Sequence, residues 1–300
     1  MSLKDEIIRL IFFLVILIVT TSILTTLRVK DSYFQSADSG LKNADMVEDT
    51  NRKSILISIY NDFISLFTLD FGSTITGEKV NSHLLQRIEP TFSLALFSIF
   101  FGSMTGIFIF LYSIYLDNIY NNLFFIFLSK LILSTSVFLF GILFFIIFFM
   151  ELGLLPPGGY ERGNILFLIL PGTTLGMRTF ARLFLYGNEI GYIELNSPFF
   201  KILKARGFSD QIIIFKYLLI KVAPLLIVLI ILDLSSLLSG AMVVEEIFFF
   251  PGIGKSTFTA IKNMDANLLK ALLIYSGIIF YILNRFARNL QSILTNTKEL

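Results

Sequence analysis

Three hundred residues would make about two soluble domains at the usual length, but hydrophobic residues are 55% of this chain and charged residues 15%. At a mean hydropathy of +0.79, a soluble globule could not bury this apolar surface and still cover itself with polar groups, so lipid is the solvent for much of the chain. Zero cysteines exclude disulfides and thiolate chemistry, a single histidine leaves little for His-based metal or acid–base work, and a net charge of +2 is too small to point to nucleic acid.

A bilayer core about 30 Å thick needs roughly 20 helical residues, and six stretches are candidates, the fourth and sixth being the shortest. Residues 10–27 are uncharged through their apolar part. A cleaved signal peptide is the rival reading, but no A-x-A-like site follows. A long connection, 28–90, is polar until about Ser54, and its later part, 55–67, carries apolar residues suited to the membrane surface or the bundle. The second span, 91–116, is uncharged and contains Gly102 and Gly106. The third, 131–150, is also uncharged. In the fourth, 164–177 is apolar and Arg178 and Arg182 follow, four apart on one helical face and expected to snorkel to one interface. The fifth, 222–244, is interrupted by Asp233, and the sixth covers 268–283. The expected architecture is an all-α polytopic membrane protein with six transmembrane helices. Its parts are an N-terminal segment with the first helix (1–27), an extracytoplasmic loop (28–90) and a core of five helices (91–300). With both termini in the cytoplasm, thirteen basic residues fall inside and four in the short outside connections, which is the favoured orientation.

The inner connection 187–221 carries a defined element. Ser197-Pro198 reads as an N-cap followed by proline at the first helical position, and Gly207 as the glycine that ends the helix. Between them Phe199, Ile202 and Leu203 fall on one face, with Lys201 and Lys204 roughly opposite. Such a helix either rests on lipid headgroups or plugs into a cytoplasmic protein.

Other candidates divide similarly. The segment 251–257, PGIGKST, lacks the first glycine of a phosphate loop, because position 249 is Phe249. It reads as a structural turn in which Pro251 fixes φ while Gly252 and Gly254 permit close backbone approach. Asp233 inside an apolar span costs at least about 2.5 kcal/mol on insertion scales; it either lines a translocation pathway or bonds to a neighbouring helix. Glu245 and Glu246 end the fifth span at the outer face, as pathway groups or solvated charges. His83 is read as a surface residue of the outer loop.

Four blocks in order resemble one family. They are FFKILKARGF (199–208) followed by Ser209, Asp210 and Pro224; LDFGST (69–74) with LLQRIEPTFSL (84–94); LGLLPPGG (152–159); and GAMVVEEIFFFPGIG (240–254). The chain is similar to the ABC-transporter permeases of the dipeptide/oligopeptide/nickel type, first (B-type) subunit, with Leu203 standing where that family usually has alanine. The resemblance implies an importer permease bundle in a prokaryotic inner membrane that carries no ATPase site of its own. It implies a coupling loop of Pro198, Phe199, Phe200, Lys201, Ile202, Leu203, Lys204, Ala205, Arg206 and Gly207, and an acidic pathway position at Glu245. The implied partners are a second, homologous permease subunit, two cytoplasmic ATP-binding subunits that hold ATP and Mg, and an extracytoplasmic substrate-binding protein. The competing readings are an ion-gradient-driven transporter or channel using Asp233, which would often show inverted repeats that are not evident here, and a membrane scaffold.

Overall fold

The computed structural model describes residues 9, 12, 13, 15–23, 64, 70–116 and 119–296. Within them every regular element is helical, apart from one isolated antiparallel bridge between Ser73 and Lys79. In chain order the helices from residue 80 onward are α1 (Val80–Leu116), α2 (Ile119–Ser134), α3 (Val137–Phe144), α4 (Leu166–Leu195), α5 (Pro198–Ala205), α6 (Asp210–Leu238), α7 (Met242–Ile247), α8 (Ile253–Lys262) and α9 (Ala266–Asn296). α3 continues as a π-helical stretch, Phe145–Glu151, and Ile213–Leu218 of α6 is also π-helical.

The centre of the bundle is the crossing of α1 and α4, where both helices put glycine at the contact. A Cβ built on Gly102 would collide with the Gly176 carbonyl, one on Gly176 would come within 2.7 Å of the Ser98 carbonyl, and one on Gly106 would lie 3.1 Å from Leu183. Small residues four apart bring backbones together in the way apolar membrane helices favour, because packing rather than water exclusion drives their association. Beyond the glycines, Phe110, Leu183 and Phe184 fill the core with Leu218, Val222 and Leu226 of α6.

Several predicted boundaries are corrected. The second span does not begin at Thr91: α1 starts at Val80, and residues 80–90, assigned to the loop, form its first turns. Val80 and Leu84 pack there on Ile253, Leu268 and Leu272, and Pro90 sits buried inside the helix. The uncharged run 131–150 is not one straight span. α2 and the α3 segment meet at 103°, with two hydroxyl residues at the break. Thr135 Oγ1 donates back to the Leu131 carbonyl at 2.7 Å, and Ser136 caps α3 by accepting from the Phe138 N–H.

α4 runs on to Leu195, so the inner connection shrinks to the residues around α5. The fifth span is Asp210–Leu238 rather than 222–244, and Met242–Ile247 is a separate short helix. The sixth extends to Asn296. Among the described residues, α1, α6 and α9 are long and apolar enough to cross a membrane, and the bent α2–α3 pair supplies a fourth if counted as one span. The first predicted span, 10–27, and most of 28–90 lie outside the described residues. Residues 15–23 are helical, and Phe13 stacks on Tyr281 of α9 with ring centroids 4.7 Å apart.

Candidate coupling surface and charged cavity

α5 is bounded as a rigid short rod. Pro198 occupies its first turn after an extended Ser197, but the Ser197 hydroxyl makes no capping bond and is buried without a partner. The far end closes with two reverse bonds, from the Phe208 N–H to the Leu203 carbonyl and from the Gly207 N–H to the Lys204 carbonyl. Gly207 takes φ +82° to make them, a left-handed geometry that glycine adopts without steric cost.

The predicted face of α5 needs correction. Phe200 and Leu203 are its buried anchors, set in the core with Ile213 and Ile214. Phe199 and Ile202 point outward, 51% and 53% exposed, beside exposed Lys201, Lys204, Ala205 and Arg206. Helical spacing groups either Phe199 or Phe200 with Leu203; only the docking of α5 onto α6 decides which. The result is an apolar patch ringed by cations at the end of the bundle where α6 begins. Lys204 makes an exposed ion pair with Asp210 at 3.5 Å.

Between α4 and α6 lies a cavity of about 250 Å³, lined by Arg178, Thr179, Arg182, Asp233, Ser236 and Gly240 among others. Arg182 does not snorkel to an interface as predicted: its guanidinium turns inward and donates to Asp233 Oδ1. Asp233 stands five residues before the end of α6 rather than near its middle. Its side chain is 9% exposed, and Oδ2 has no hydrogen-bond partner. Sequence reasoning singled out all three charged residues, but not that Arg182 and Asp233 meet; they lie 51 positions apart.

At the opposite end of α6, the chain turns through Gly240 (φ +114°) into α7. Glu245 is fully buried there, and its Oε2 accepts the Lys255 N–H at 2.8 Å, in the first turn of α8. The Ile253 N–H donates to Thr91 Oγ1 at 2.8 Å. Two first-turn amides of α8, which a phosphate would need, are therefore held by the chain's own oxygens. Burial pushes the Glu245 carboxyl up to about 7, while the Lys255 amide chiefly pulls the other way. Pro251 precedes Gly252, the residue capping α8, and a Cβ on Gly252 would strike the Glu245 carboxylate. Gly254 lies on the Met242 backbone. His83 is not a surface residue: 16% exposed, it bridges Glu78 Oε2 at 3.1 Å and Ser256 Oγ at 3.2 Å.

The family described as the binding-protein-dependent transport system inner membrane component matches residues 98–297. The chain belongs to this family. Its curated relatives include the oligopeptide transport system permease protein AppB of Bacillus subtilis, 27% identical over 75% of this chain and 74% of that protein. The dipeptide transport system permease protein DppB of Alkalihalophilus pseudofirmus is 24% identical over 76% of each chain, and the glutathione transport system permease protein GsiC of Pectobacterium atrosepticum is 26% identical over 72% and 70%. The fold is similar to that of the MetNI methionine ABC transporter in an inward-facing conformation, with a TM-score of 0.57 at 16% identity, covering 70% of this chain and 95% of that one. The family resemblance read from the four sequence blocks therefore holds: the chain is an ABC transporter permease, a multi-pass membrane protein. Both the cavity and α5 fall within the family's matched region.

Proposed function

We propose that this permease is the membrane-spanning subunit of an ATP-driven importer for peptides or similar small solutes in a prokaryotic inner membrane. It forms half of the translocation pathway and pairs with a second, homologous permease. In this reading six helices cross the membrane with both termini cytoplasmic, and an extracytoplasmic binding protein delivers the solute. ATP and Mg are held by two partner ATPase subunits, and α5 is the coupling helix that their movement displaces. The observation that carries the reading is the outward pair Phe199 and Ile202 on a short rod that is closed at Gly207 and anchored by Phe200 and Leu203. An anchored helical rod transmits displacement as a rigid body, whereas a flexible loop would absorb it. The peptide cargo is supported by the names of the oligopeptide, dipeptide and glutathione relatives.

The test is the double substitution Phe199→Ser with Ile202→Ser. Both side chains face outward, so the variant should insert in normal amount. The ATPase subunits should no longer co-purify with it, and ATP-dependent uptake should fall at least tenfold. Retained ATPase binding together with normal uptake would remove α5 from the role proposed for it.

A further inference from the structure

The charged cavity between α4 and α6 has no part in gripping an ATPase, and its chemistry is unusual for a membrane helix pair. Two guanidinium groups and one carboxylate line it, so it carries one positive charge in excess. Arg182 is matched by Asp233; Arg178 makes no ion pair among the described residues. On the acidic side, the Asp233 side chain is nine-tenths buried and leaves Oδ2 without a donor. Arg178 is exposed at the cavity's rim, whereas an unpartnered acceptor on a buried carboxylate is costly within an apolar bundle, and ionisable groups so placed characteristically mark a solute pathway. Thr179 and Ser236 add hydroxyls to the same wall. At about 250 Å³ the space equals that of about eight waters, enough for one end of a peptide rather than a long one.

Building on the importer reading, we infer that this cavity is a contact site for the carboxylate end of a peptide during passage. Arg178, assisted by Arg182, takes the C-terminal carboxylate, since guanidinium groups match carboxylate geometry with paired hydrogen bonds. Asp233 Oδ2 takes an N–H from the same end of the peptide. When no solute is present the Arg182–Asp233 pair keeps the two more buried groups compensated, and only the exposed Arg178 is left without an ion-pair partner. No bond is made or broken; the site only exchanges ionic partners.

The probes are trialanine, trialanine amide (no terminal carboxylate) and N-acetyl-trialanine (carboxylate kept, amine removed). Binding to the purified permease complex is measured by calorimetry in the absence of the substrate-binding protein, whose own selectivity would otherwise dominate. Trialanine and its N-acetyl form should bind alike and the amide about tenfold more weakly. Arg178→Gln should lower affinity for trialanine about tenfold and abolish its advantage over the amide. The exchanged pair Arg182→Asp with Asp233→Arg restores a tie between α4 and α6 but misplaces both groups, so the assembled variant should also lose that advantage. Equal binding of the amide, preference for the free amine, no binding of any probe by the wild type, or wild-type discrimination in the exchanged pair would each overturn the site. The importer reading is judged separately, by ATP-dependent uptake and ATPase co-purification with α5 intact. Wild-type uptake combined with equal binding of all three peptides would remove only the cavity's role.

Discussion

The two ends of α6 are built from the same punctuation and reach opposite results. At one end α5 starts with Pro198 and stops at Gly207, is held by Phe200 and Leu203, and leaves Phe199 and Ile202 outside. At the other, Pro251 and Gly252 open α8, and the α7–α8 turn buries Phe248, Phe250, Ile253 and Glu245 completely. Proline and glycine fix where a helix begins and ends, but not whether it is closed in. What differs is commitment: in α7–α8 the first-turn amides of Ile253 and Lys255 already have internal acceptors, whereas α5 presents an apolar face without one. A turn whose leading amides are already bonded resists change, and a rod with an open face can accept a partner.

The largest effect should come from breaking the closed end. Gly254→Val places side-chain atoms into the Met242 backbone, which cannot retreat like a flexible side chain. We expect a loss above about 3 kcal/mol and little folded protein, read by thermal unfolding of the purified complex. Next in size is the effect of pH on the same turn. Glu245 holds a proton in the folded state up to about 7, against 4.5 ordinarily. Between those values the folded chain binds a proton that the unfolded chain has released, so stability falls as pH rises through this window, by about 3 kcal/mol in all. Glu245→Gln keeps an acceptor for the Lys255 N–H and should flatten that dependence; an unchanged pH slope would exclude Glu245 as its source. The smallest effect on stability belongs to the open end. Nothing lies within 4 Å of a Cβ at Gly207, so Gly207→Val costs only the left-handed strain, about 1–2 kcal/mol. Insertion should be normal while ATP hydrolysis and uptake separate. Normal uptake by this variant would show that the close of α5 need not be rigid.

The limits of α5 were legible in the sequence because Pro198 and Gly207 act locally, through φ alone. Its buried face was not, since eight residues contain too little periodicity to choose between adjacent phenylalanines. Burial there follows from packing on Ile213 and Ile214, which belong to another helix. The bend between α2 and α3 was hidden for a related reason: hydropathy weighs charge and apolar bulk, and the hydroxyls of Thr135 and Ser136 that stand at the bend barely register. Pro90 misled in the other direction. It was read as the edge of a loop, yet it stands inside α1, whose first turns are fixed by Val80 and Leu84 docking on α8 and α9. Within the cavity, the residues stood out as charges in apolar surroundings, but the Arg182–Asp233 meeting depends on how α4 crosses α6.

The glycine-lined crossing of α1 and α4 has a mechanical consequence. With the Gly102 and Gly176 main chains this close, neither helix has room to roll against the other without a steric clash, so the two act as one beam. Bending of the bundle would then fall elsewhere, at joints such as the sharp elbow after Ser134 or the Gly240 corner.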